Sequence, residues 1–436
     1  GGAVYSTDAT YNSKSNTVIV TGSGSVWNNS DTITVGYYGS GNTLTIANSG
    51  TVYSAYGNLG VNGGASNIVL VSGSGSVWNN SHDIEVSAGS GSGNTLSIAN
   101  SGTVYSANGY LGYNDGLIVV AGSGSVWSNR NKLYIGYWGS HNEMIITNGG
   151  VVYCGQGSFG VGGSDNGDNM AVVIGDGSAW KIATNLYVGY AGAGNALTIA
   201  DNGLVTARNI YIGFLSSSIG NQITLSGGNL TVTNVLGNSV LEVRRGRLTL
   251  NNGIVTADQF VATNASSVIF FNGGTFSVRN SVVNNGYVFN VGDGTHAAML
   301  NLYNGTHSFT NGLFIATNAT LAGTGQILGS VTAAGLVASG QSIGTLGITG
   351  SYTQTVSGSL NVRIAGATTY DKLTVSDTAL FSGTLNVVTN GYAPHSGESF
   401  MILTAGSLSG AFVTSTRHRC GQVLDGAFST TQILVL

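Results

Sequence analysis

The sequence specifies an all-β fold, a parallel β-helix solenoid with three short strands in each coil of about 26 residues. Three observations predict it. Asn16, Asn42, Asn67, Asn94, Asn142, Asn169, Asn195 and Asn238 each lie eight positions before a glycine, namely Gly24, Gly50, Gly75, Gly102, Gly150, Gly177, Gly203 and Gly246. Apolar residues alternate with polar ones between these marks. The composition, 70 Gly and one Pro in 436 residues of which 7% are charged, is far from that of an ordinary globular domain. A unit this short cannot bury an apolar face alone, so copies must stack on one another.

The first strand of a coil follows the Asn and places apolar side chains at its second and fourth positions: Leu44 and Ile46, Val69 and Val71, Leu96 and Ile98, Met144 and Ile146, Leu197 and Ile199. The second follows the Gly, with an apolar residue at Val26, Val52, Val77, Val104, Val126, Val152 and Val205. The third carries Ile33 and Val35, Leu59 and Val61, Ile84 and Val86, Leu133 and Ile135, Leu186 and Val188, Ile210 and Ile212. Paired in register about 4.8 Å apart, about a dozen coils from Asn16 to Gly305 would extend on the order of 55 Å.

The repeated Asn is expected to stack on itself in a turn, its amide bonding the copies above and below, which satisfies backbone that would otherwise be buried unpaired. The Gly is expected to supply a positive φ or a close backbone approach. Gly116 replaces the Asn before Gly124, Asn221 stands seven before Gly228, and beyond Gly246 the pattern loosens, so the cross-section is expected to change there. The implied segments are an N-terminal edge at 1–15, a repeat solenoid at 16–310, a second solenoid at 311–413 and a tail at 414–436.

A net charge of −4 argues against nucleic acid, which needs a basic stripe. The one basic cluster, Arg244, Arg245 and Arg247, reads as a solvated turn. No apolar run is long enough to span a membrane. The chain opens on Gly-Gly with no initiator Met or apolar leader, the look of a processed, mature product. Cys154 and Cys420 are far apart, and Cys154 takes the slot of Ser54 and Ser106, so it reads as a small packed side chain rather than half of an intramolecular disulfide.

From about Ala319 to Phe412 the style changes. Ala-Thr-Leu-Ala-Gly-Thr-Gly-Gln-Ile at 319 to 327 is followed by Ser-Gly-Gln-Ser-Ile-Gly-Thr-Leu at 339 to 346 and Gly-Ser-Tyr-Thr-Gln at 350 to 354. Then come Tyr370-Asp371-Lys372-Leu373-Thr374-Val375, Gly-Tyr-Ala-Pro at 391 to 394, and Phe-Met-Ile-Leu-Thr-Ala-Gly-Ser-Leu-Ser-Gly-Ala-Phe at 400 to 412. This stretch resembles the C-terminal stem of autotransporter-type passenger domains. The Gly-Ser-Gly-Ser-Val-Trp coils upstream are similar to the associated repeats of bacterial surface proteins. The resemblance implies a right-handed β-helix, export across the envelope, and a role in adhesion, coating or fibre building. Ser339 stands where the stem usually has Pro, and the stretch up to Leu436 leaves no room for an outer-membrane barrel, so the expectation is a barrel removed or another export route.

The residue three after each ladder Gly follows an inward Val and is therefore expected to point outward. It reads Trp27, Tyr53, Trp78, Tyr105, Trp127, Tyr153 and Trp180, a stripe that either stiffens the stack or presents a contact face. Tyr37, Tyr38, Tyr137, Trp138, Tyr190 and Phe214 form a second group after the third strand, mostly in alternate coils.

Hydrolysis of a polysaccharide would need carboxylates converging on one groove, yet Asp31, Asp83, Glu85, Glu143, Asp201 and Glu242 occupy unrelated repeat positions. Only Asp165, Asp168 and Asp176 come close, in what reads as a turn insertion rather than a calcium loop. The six His show no metal-ligand spacing. The expectation is a non-catalytic protein with no cofactor and no metal, secreted or held at the cell surface. Its ends, with Gln432, Ile433, Leu434, Val435 and Leu436 as the C-terminal strand, suit head-to-tail assembly of a fibre with other copies of itself, which the aromatic stripe would also bundle laterally. The alternatives are a monomeric adhesin that binds glycan, on a host or neighbouring cell surface, through the aromatic stripe, and a polysaccharide lyase or hydrolase.

Overall fold

The computed structural model describes residues 1–340, 342–389, 391–395, 397–418 and 431–435, the stretches from Thr414 by their backbone alone. These residues form a parallel β-solenoid of about 16 turns without a helix. The chain divides into two compact units, Gly1–Thr233 with Glu242–Leu248 and Asn234–Leu241 with Thr249–Leu436.

In the first unit every coil has three strands, each pairing in parallel with the same strand of the coils before and after. The first sheet stacks Thr17–Thr21, Thr43–Ala47, Ile68–Ser72, Thr95–Ala99, Leu117–Ala121, Glu143–Thr147, Met170–Ile174, Ala196–Ala200 and the start of Asn221–Val232. The alternate residues Leu44 and Ile46, Val69 and Val71, Leu96 and Ile98 fall in two inward columns and are fully buried. Each such side chain contributes roughly 1.5–3 kcal/mol on leaving water.

The asparagine ladder forms at the turn that leads into this sheet. From Asn16 to Asn42 to Asn67 to Asn94, and again from Asn142 to Asn169 to Asn195 to Asn221, the backbone N–H and the Nδ2 of each residue donate to Oδ1 of the next, at 2.8–3.2 Å. Where Gly116 interrupts it, Asn94 donates to the Ser87 hydroxyl instead, and the Gly116 N–H still reaches Asn142. The amides lie against glycines ending the third strand: a Cβ on Gly36, Gly60, Gly136 or Gly189 would run into Asn67, Asn94, Asn169 or Asn221. Asn238 does not belong to the ladder. It is exposed and exchanges hydrogen bonds with Asn234 in a turn of the second unit, and the column ends at Asn221, which donates to the Ser218 hydroxyl.

The glycines eight residues on serve two purposes in alternate coils. Gly24, Gly75, Gly124 and Gly177 have φ of 75–79°, in the left-handed region. Gly50, Gly102, Gly150 and Gly203 have ordinary φ but stand so close to the preceding coil that a Cβ would meet the carbonyl oxygens of Val20, Val71, Val120 and Val173.

In the second unit one corner straightens, and strands such as Gly274–Val283, Ala298–Phe309 and Ala319–Leu328 run on through what had been a turn. Buried carboxylates brace it. Asp258 accepts from the N–H groups of Asn234 and Ser239 and faces Arg279 at 3.3 Å. Asp371 accepts from Gly344 N–H and from the backbone and guanidinium of Arg363. His307 is fully buried between Ser281 and Ile327 of the adjoining coils, with Nδ1 2.9 Å from the Ser281 hydroxyl and Nε2 without a partner. Burial pulls its pKa down from 6.5 to about 4.

Two measurements of unfolding follow. Asn67→Ala leaves the Asn42 donors unsatisfied in a buried turn and should cost about 2–4 kcal/mol, whereas Asn238→Ala should cost under about 0.5 kcal/mol. Because His307 resists protonation when folded, its contribution is present above pH 6.5 and lost as pH falls toward 4. The Ser281→Ala/His307→Phe double variant should therefore escape a loss of at most about 3 kcal/mol that the parent chain suffers across that window.

Candidate interaction surface

The aromatic stripe of the second sheet is not the one its spacing implies. Trp27 pairs with Val52, and Trp78 with both Val52 and Val104, so the indoles share the inward column. Trp78, Trp127 and Trp180 are fully buried and Trp27 nearly so, while Tyr53, Tyr105 and Tyr153 are 40–44% exposed. The cause is turn length. Four residues, such as Gly22-Ser23-Gly24-Ser25, separate the first and second strands in the tryptophan coils, against three, such as Asn48-Ser49-Gly50, in the tyrosine coils. One extra residue reverses every side chain beyond it. Outward, Asn28, Asn79, Ser128 and Lys181 alternate with the tyrosines, and a continuous aromatic stripe does not exist there.

Each indole is instead a built core element. Its Nε1 donates to a side chain of the preceding coil: Trp27 to Ser6, Trp78 to Ser54, Trp127 to Ser106 and Trp180 to Cys154 Sγ, at 3.0–3.3 Å. The three serines donate their own O–H to Oδ1 of Asn29, Asn80 and Asn129. In the fourth copy the asparagine becomes Ile182 and the serine becomes Cys154, which has no need of that acceptor. The Cys154 thiol is buried, with its pKa pushed up to about 12, and is packing rather than chemistry. Gly57, Gly109 and Gly157 make room, since a Cβ on any of them would press on the indole of the next coil.

An aromatic surface does form on the third sheet. Its outward position reads Asn58, Glu85, Tyr110, Tyr134, Ser158, Tyr187 and Tyr211 in consecutive coils, in continuous register. Tyr110 and Tyr134 stack at 5.2 Å, and Tyr137 and Trp138 from the following turn extend the cluster, Trp138 half exposed. Beyond Ser158, Tyr187 and Tyr211 stack at 5.2 Å and Tyr190 and Phe214 at 5.3 Å. Arg244 sits in the bend between Val240–Val243 and Gly246–Ala262, as expected, but it lies 4.6 Å over Phe214 and pairs with Glu242 at 2.7 Å, so it caps this cluster rather than pointing free into solvent. The signal was in the sequence: the residue between each inward pair of the third strand is the one that points out. Tyr37 and Tyr38 meet edge to face at 4.7 Å.

The row has an acidic end. Asp83 accepts from the backbone and side chain of Asn108, at 3.1 and 2.8 Å. Burial first, then the Asp83 charge, raises the Glu85 carboxyl above its usual range, and burial with the same acids pushes the Tyr110 phenol up to about 12. Asp165, Asp168 and Asp176 do not converge: Asp165 meets Ser164, Asp168 lies against Gly194, and Asp176 accepts from Asn202. No group of three His, Cys, Asp or Glu stands close enough to hold a metal among the described residues. In the second unit a groove of about 740 Å³ is lined by Phe270, Tyr287, Val288 and Phe314. Its acid, Asp293, is held well below the usual carboxylate range by hydrogen bonds from His296 and Thr295. The strand Thr431–Val435 runs antiparallel along Ser399–Gly410 of its own chain. Leu436 and Cys420 lie outside the described residues.

The two aromatic sets should separate in a melting experiment. Trp127→Ala opens a core cavity and should cost about 3–5 kcal/mol, whereas Tyr105→Ala should cost about 1 kcal/mol or less.

No known family description and no curated relative matches the chain. Among solved structures it is similar to a crystal structure of a TibC-catalyzed hyper-glycosylated TibA fragment, with 14% identity and a TM-score of 0.33 over 82% of this chain and 96% of that one. A likeness of that degree bears on neither function nor ancestry.

Proposed function

We propose that this chain is an exported, non-catalytic surface β-solenoid of the autotransporter-passenger kind, an adhesin that takes an extended glycan along the aromatic row of its third sheet. The observation that carries the reading is a pair of ring clusters on the third sheet either side of the buried Ser158: Tyr110 on the buried Tyr134, with Tyr137 and the half-exposed Trp138 beside them, and Tyr187 on Tyr211. Flat apolar rings suit the faces of sugars, and a few placed polar groups suit their hydroxyls. Glu85, next to Tyr110 in the register, supplies such a group beside the rings. Hydrolysis asks for two carboxylates facing each other across the substrate; Asp83 is committed to Asn108 and shares an edge of the row with Glu85. The fibre reading needs Thr431–Val435 free to join another copy, and its pairing along Ser399–Gly410 weighs against that.

Affinity electrophoresis against a panel of neutral and acidic polysaccharides tests the reading. Tyr137→Ala/Trp138→Ala, at turn positions outside the strands, should weaken retention by tenfold or more, about 1.4 kcal/mol, with the melting temperature little changed. Retention equal to that of the parent chain, or none by any polysaccharide, would count against it.

A further inference from the structure

A sheet with one solvated face ordinarily alternates apolar residues inward with polar residues outward. The first sheet of the first unit departs from this. Its outward positions include Leu117, Val119, Ile145, Met170, Val172 and Ile174, on three consecutive strands. Across its nine strands Glu143 is the one ionisable side chain pointing outward. Most of these residues keep partial exposure, and Met170 is 37% exposed. A contiguous apolar patch of this kind on a water-exposed sheet marks a contact surface.

We propose that this face is where a second copy of the chain packs, sheet on sheet. Three arguments select that partner. Nine strands about 4.8 Å apart and five residues long at roughly 3.3 Å each give the whole face a projected area of about 700 Å², of the order of the roughly 800 Å² each partner of a stable complex buries, with the apolar strands near its middle and Thr, Ser and Ala outward on most of the rest. A second copy has the same spacing between strands, so its strands stay in step with these along the whole contact, as in stacked sheets about 10 Å apart. The near absence of charge removes any electrostatic reason for nucleic acid or an anionic surface to settle there. The pairing is isologous, with the two solenoid axes antiparallel and the Leu117–Ala121 strand, fifth of the nine, at its centre. The strand with Glu143 then faces the strand with Thr95, whose hydroxyl can donate to the carboxylate. The aromatic row lies on a different sheet and stays open, so the two proposals stand or fall separately.

Sedimentation equilibrium of the full chain across micromolar concentrations tests it. The parent chain should dimerise. Val119→Lys/Val172→Lys, with both side chains outward, should associate at least tenfold more weakly with an unchanged circular-dichroism spectrum. If the lysines disturb folding, Val119→Thr/Val172→Thr serves instead, because Thr45, Thr198 and Thr224 already fill that column in other coils; it should weaken association in the same sense. Tyr137→Ala/Trp138→Ala should dimerise as the parent does. A parent chain that stays monomeric, or a lysine or threonine variant that dimerises as well as the parent, overturns the proposal.

Discussion

Everything in the first unit depends on holding successive coils in one register, and the buried amide column is the interaction that does so. A coil closed by three tight turns buries backbone donors where water cannot reach, and a buried donor without a partner costs about 1–3 kcal/mol. Each asparagine settles two of these donors at once, its neighbour's N–H and its neighbour's amide. Because the acceptor belongs to the next coil, the bond also fixes where that coil starts. A slip of one residue would bring the polar column against Leu44 and Ile46 and expose the core face. The tolerance at Gly116 has a limit that shows the same logic: the side chain can be lost only where Ser87 takes over the orphaned donor.

The fold was largely legible because its two signals are local. An amide every 26 residues or so and a strict period of two leave little besides a stacked solenoid, and both reappear as columns of the structure. The surface was less legible, for a reason that can be located. Counting from the glycine assumes that Gly24 and Gly50 hold equivalent places, whereas the strand register equates Gly50 with Ser25. Reading Trp27 and Tyr53 as one stripe followed from that assumption. Tyr110 and Tyr134 were within reach, since they sit between inward residues that periodicity identifies. Asn238 misled because an eight-residue interval occurs there in a different turn. The role of Asp371 could not be read from local sequence, because its partners Gly344 and Arg363 come together only once the coils stack.

The three sheets differ in what they show to solvent although they share one core. The first carries β-branched and aliphatic residues with Glu143 as its one charge, the second tyrosines set among asparagine, serine and lysine, and the third two ring clusters with acids at one end. A solenoid permits this division because outward residues are free of the packing that fixes inward ones. Rigid strands then hold each surface group at a set interval, which preorganises a repetitive surface toward repetitive ligands.

The alternation of four-residue and three-residue turns has a consequence for how such a chain can change length. Each fully buried indole has a glycine and a hydroxyl or thiol in the coil before it, as Trp78 has Gly57 and Ser54. Removing one coil would set one tryptophan coil on another, with neither the space nor the acceptor. The heritable unit is therefore the pair of coils, about fifty residues from Trp27 to Trp78 or from Trp78 to Trp127. Recombination between repeats should lengthen or shorten this region in even steps, and the size of the protein in any lineage should be quantised accordingly.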